Sequence, residues 1–111
     1  MSQPPEGNRP VYICLAAVEA SRTLAEDLRD HGIRARAFAS RQVLDQAAEH
    51  EVPLATVIHA DALPDRHPDL LGELITVVAD HGISAYLEAI RSGADAVITA
   101  PVNRPALRHY L

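Results

Sequence analysis

Four side chains in the second half of the chain are of the types that acid–base or metal chemistry needs: His59, Asp61, Asp80 and His81. His59 lies in, and Asp61 just beyond, the apolar run Pro53 to Ala60; Asp80 and His81 follow a second run, Ile75 to Ala79. If both runs are strands of one parallel sheet, their polar ends meet at the edge where open α/β sheets place ligands. Two imidazoles and two carboxylates can bind Zn²⁺ or a similar ion. They can also move protons near neutral pH. The spacing matches no known ligand signature, and Asp80 equally suits a helix cap. Glu19 can add a carboxylate to a metal held by Asp61 and Asp80, or simply favour the N-terminus of the helix it opens.

Other chemistry is excluded by composition. All ten basic residues are arginines, so no step can use a lysine amine, whether as a Schiff base or as a phosphate-binding ammonium. There is no Gly-rich phosphate loop. The single Cys14 lies inside an apolar run and reads as a small core hydrophobe that suits a reducing cytoplasm. A net charge of −5 argues against direct nucleic-acid or anionic-membrane binding. No apolar run approaches the roughly 18 residues of a membrane span. Residues 1–10, polar and rich in Pro, read as a flexible tail, and 11–111 as one domain.

The elements that must position these residues follow from hydrophobic periodicity. Val11 to Ala17 is continuous and apolar, a strand covered on both faces. Glu19 to His31 is an amphipathic helix with Leu24 and Leu28 on its inner stripe, closed by Gly32. Ile33 to Phe38 alternates apolar residues with Arg34 and Arg36, as an edge strand does. Ser40 caps a helix over Arg41 to His50. Pro53 to Ala60 and Ile75 to Ala79 are the third and fourth strands, with a short helix over Asp69 to Glu73 between them. Ile83 to Ser92 is a helix with Ile83, Leu87 and Ile90 on one side, and Gly93 stops it. Asp95 to Thr99 is the fifth strand, and Pro105 to Leu111 starts a last helix. The alternation predicts an α/β three-layer sandwich around a five-stranded parallel sheet, in the flavodoxin-like order 2-1-3-4-5 with a shortened third helix.

From about Val11 to Leu111 this arrangement resembles the receiver domain of two-component response regulators. The most specific piece is GADAVITAPVNRPAL, which looks like that family's closing turn, fifth strand, Lys-Pro pair and capped last helix. LPDRHPDL looks like its Asp-to-Pro loop, and AEDLRDHGIRARAFAS like its first helix and second strand. The resemblance implies phosphoryl transfer to an aspartate after the third strand. An acidic pair would hold Mg²⁺, and a Thr or Ser and a Lys would neutralise the transferred group. Carried over position by position, that machinery is missing. The acidic pair falls on Leu15 and Ala16, or on Ala16 and Ala17. The acceptor falls on Ala60, the Thr or Ser on Val78, the Lys on Ala100 and the aromatic switch on Val97.

The expected function is therefore that of a degenerate pseudo-receiver: a non-enzymatic, cytoplasmic signalling module without phosphoryl acceptor, metal or other cofactor. It would act by protein–protein contact, as a homodimer or by controlling an output domain in transcription regulation. The resemblance places that contact on Tyr86, Leu87, Val97, Arg104, Leu107, Arg108 and Tyr110. Two alternatives stay open. One is a small-molecule or metal-binding domain using the strand ends, and the other a weak phospho-receiver through Asp61. The resemblance also implies a cis bond at Ala100–Pro101. The early stop of the last helix implies a chain cut from a longer regulator.

Overall fold

The computed structural model describes residues 9–59, 72–78, 83–91, 93–99 and 102–111, the side chains at positions 83, 85, 86, 109 and 110 excepted. Strands β1 (Val11–Cys14), β2 (Ala35–Ala37), β3 (Ala55–His59), β4 (Glu73–Val78) and β5 (Ala96–Thr99) form one parallel sheet in the order 2-1-3-4-5. Helices α1 (Val18–Asp30), α2 (Arg41–His50), α3 (Ile83–Arg91) and α4 (Arg104–Tyr110) flank it. The expected fold class and strand order are both observed. The expected short third helix falls largely outside the described residues, but Glu73, placed at its end, is the first residue of β4. Among the described residues no helix is long and apolar enough to cross a membrane.

Alternation along the strands builds two core layers. Val11 and Ile13, Ala55 and Val57, and Ile75 and Val77 face one side, where Leu24, Ala25 and Leu28 of α1 and Leu107 of α4 cover them. Tyr12 and Cys14, Ile58 and Leu74 face the other, against Leu44 and Ala48 of α2. A strand packed on both faces needs apolar residues at every position, so these segments read as unbroken apolar runs. Pro10 is buried too, and its carbonyl accepts from the Leu54 N–H at 2.8 Å, so packing reaches one residue before Val11.

The helix stops match the glycines. In α1 the N–H of Ile33 reaches the Leu28 carbonyl and that of Gly32 reaches Arg29; Ala94 and Gly93 repeat the pattern after α3. This double bond needs a left-handed residue, and Gly32 and Gly93 have φ of 81° and 98°. Ser40 caps α2 by accepting from the Val43 N–H at 3.3 Å, and Asn103 caps α4 by accepting from the Ala106 N–H at 3.1 Å. The helix α3 departs from its expected stripe. Ala89 is buried, whereas Leu87 and Ile90 are 43% and 41% exposed.

The edge strand β2 is held through side chains. Arg36 does not simply point to water: its guanidinium lies 5.1 Å from the centre of the Phe38 ring and 5.9 Å from that of Tyr12. The two rings meet edge to face at 4.9 Å. The Tyr12 hydroxyl donates to the Glu51 carbonyl at 2.8 Å, tying β1 to the end of α2. Burial pushes the Tyr12 phenol above its ordinary pKa. Tyr12→Phe keeps the rings and removes this one bond. The expected loss is about 1 kcal/mol of unfolding free energy, measured by urea denaturation.

Candidate functional site

The candidate site forms where β1 ends. The chain was expected to stay extended to Ala17, but it leaves the sheet after Cys14. The Leu15 N–H donates to Ser21 Oγ at 2.8 Å rather than to a neighbouring strand, and Ser21 Oγ donates in turn to the Ala17 carbonyl at 3.4 Å. Ser21 is 1% exposed, so a helix side chain serves as the internal fastener of the turn. Ala17 begins α1 with an extended backbone and no side-chain cap.

Small side chains then leave a gap. Ala16, Ala17 and Ala20 stand where longer groups would fill the space between α1 and the sheet, and a concavity of about 380 Å³ opens there. Leu15, Leu24, Val77 and Val102 are among its apolar lining residues. Among the described lining residues the polar groups are Thr23 on α1, His59 at the end of β3 and Arg104 at the start of α4. His59 is half-buried and Arg104 exposed. No carboxylate is among the described lining residues.

Beside the concavity, Arg108 of α4 donates to the Asp27 carboxylate of α1. This bond holds the Asp27 carboxyl below its ordinary pKa, against partial burial that pushes it up. It also locks the two helices that frame the site.

The sequence-derived candidates divide sharply. Leu15, Ala16 and Ala17, at the positions of the implied acidic pair, all line the concavity, and His59 joins them. Asp61, Asp80, His81, Ala60 and the Ala100–Pro101 bond lie outside the described residues. Glu19 sits exposed in the first turn of α1 and is not part of the described lining. Among the described residues, no three His, Cys, Asp or Glu side chains gather to hold a metal ion. Val78 ends β4 and is buried against Ala89 and Ala94, with Val97 packed on them. Cys14 is buried, and burial pushes its thiol pKa up, away from reactivity.

The contact face fares unevenly. Leu87 and Arg104 are exposed and Val97 is half-buried. Leu107 needs correction: at 3% exposed it belongs to the core beneath α4. Arg108 is engaged by Asp27, and the side chains of Tyr86 and Tyr110 lie outside the described set.

No family model matches the chain, and no curated protein matches its sequence. Solved structures do match over nearly all of it. The chemotaxis response regulator CheY4 of Vibrio cholerae aligns with a TM-score of 0.77 at 12% identity, covering 93% of this chain and 98% of that one. The receiver domain of sensor histidine kinase PA1611 from Pseudomonas aeruginosa PAO1 aligns at 0.73 and 12%, covering 93% of each; its structure holds a magnesium ion in the active-site cleft. A Saccharomyces cerevisiae co-crystal of the phosphotransfer protein Ypd1 with the receiver domain of Ssk1 aligns at 0.75 and 17%, covering 91% of this chain and 84% of that one. The chain has the receiver fold. In this receiver-like fold the concavity occupies the carboxyl ends of the central strands.

Sequence reasoning missed Ser21, Ala20, Thr23 and Val102. A signal existed for Ser21 alone: it is a hydroxyl on the buried side of an amphipathic helix, three residues before Leu24. Ser21→Ala leaves the Leu15 N–H without its acceptor. The expected cost is about 1–2 kcal/mol in chemical denaturation, with amide exchange at Leu15 accelerated. For Asp27, the sign follows from a folded pKa below the unfolded value of about 3.9. Its contribution is complete above that value and is lost as pH falls through the folded pKa. The melting-temperature gap between wild type and Asp27→Asn is therefore full at pH 7 and closes in strong acid.

Proposed function

We propose that this chain is a pseudo-receiver: a signalling module that works by protein contact and transfers no phosphoryl group. The observation that carries this reading is the chemistry of the β1 tip. Holding a divalent cation there requires carboxylates, and the positions are filled by Leu15, Ala16 and Ala17, which line an apolar concavity. A phosphoryl group also needs a cation against its developing charge; the chain contains no lysine, and the described cation at these strand ends is the exposed Arg104 guanidinium.

What remains is surface. Leu87 and Ile90, three residues apart on α3, expose apolar side chains beside β5, whose residues are half-buried along its whole length. An apolar strip of this kind suits a protein partner, either a second copy or an output domain. Acting in the cytoplasm and without a cofactor are parts of the same proposal.

Two measurements test it. Incubation with acetyl phosphate and Mg²⁺ should leave the intact mass unchanged. A phosphoryl adduct would overturn the proposal, and its loss in Asp61→Ala would assign a weak phospho-receiver instead. Light scattering should give a dimer mass that Leu87→Asp returns to monomer. A monomeric wild type would remove the homodimer and leave the strip to a different protein.

A further inference from the structure

We propose that the concavity at the strand ends binds a small aliphatic carboxylate, with the alkyl chain inside and the carboxylate at Arg104. The size of the space, about 380 Å³, lies within the range of small-molecule sites. Its described apolar lining is aliphatic: Leu15, Leu24, Val77 and Val102 with the alanines of the β1–α1 turn. No Phe, Tyr or Trp is among the described lining residues. Apolar walls alone would favour any greasy molecule. The polar groups select the charge.

Among the described lining residues those groups are Arg104, a fixed cation, His59, an imidazole, and Thr23, a hydroxyl. Arg104 is exposed; its neighbour Arg108 donates to Asp27, whose carboxylate also lies within electrostatic reach of Arg104. The guanidinium fork matches a carboxylate with two parallel hydrogen bonds. The N-terminus of α1 adds to this, because Ala17 and Ala20 line the space and Ala17 provides no side-chain cap for the first-turn N–H groups. Glu19 opposes an anion from the same turn, but it is exposed and outside the described lining. A fully apolar ligand would leave the guanidinium unused, and inorganic phosphate would leave the aliphatic walls uncovered. A monoanion with an alkyl tail satisfies both. Such binding would give the receiver fold a metabolite-responsive state at the carboxyl ends of its strands.

Sodium octanoate is the probe. With about ten non-hydrogen atoms it should bind the full chain in the high-micromolar to millimolar range. Titration followed by ¹H–¹⁵N correlation spectra should shift the amides of Leu15, Ala16, Ala17, Ala20 and His59 saturably, and the melting temperature should rise. Arg104→Gln should weaken octanoate about tenfold and leave octanol unaffected. Ala20→Phe, at an exposed helix position, should keep the circular dichroism spectrum and abolish binding. Absence of saturable shifts, or shifts centred on Leu87 and Ile90, would overturn the proposal. So would phosphate binding as tightly as octanoate, or equal octanoate affinity in Arg104→Gln. None of these results depends on whether acetyl phosphate labels the chain.

Discussion

Both sides of β1 are packed, Val11 and Ile13 against α1 and Tyr12 and Cys14 against α2, and no side chain of the strand reaches water. A segment in that position can carry polar chemistry only beyond its end, where the chain leaves the sheet. The exit is set by one hydrogen bond, from the Leu15 N–H to the buried Ser21 hydroxyl. It satisfies an amide that would otherwise seek a strand, and it fastens the β1–α1 turn to the first turns of α1. Leu15, Ala16 and Ala17 of that turn line the concavity.

The fold was legible because two-faced burial writes itself plainly into sequence. Val11 to Cys14, Ala55 to His59 and Glu73 to Val78 are nearly unbroken in apolar residues, and Gly32 and Gly93 mark the helix stops that the structure contains. Where the reading slipped, a tertiary bond had intervened. Ser21 ends β1 early. The Asp95 carboxylate accepts from the Leu74 N–H at 2.7 Å while the Asp95 N–H donates to the Leu74 carbonyl, also at 2.7 Å, so β4 is tied down at its start. The resemblance placed Leu107 on a contact face, but its position turns it under the helix into the core.

The site was far less legible. A concavity is made of side chains that are too short, drawn from β1, α1, β3, β4 and the start of α4, and alanines carry no pattern of their own. The polar cluster at the strand ends was visible by type, and the structure places His59 of that cluster at the concavity. Arg104 was singled out for a partner surface, and its place on the concavity mouth becomes visible only once α4 is docked by Asp27 and Arg108.

Similarity in fold with receivers does not carry their chemistry, since function resides in the groups at the strand ends. The account turns on whether those ends can hold a divalent cation. Titration with Mn²⁺, followed by paramagnetic broadening of the amide spectrum, asks this directly. Uniform, weak broadening over exposed carboxylates is the predicted result. Selective loss of the Leu15, Ala16, Ala17 and His59 amides at low Mn²⁺ would show a seated ion and contradict it.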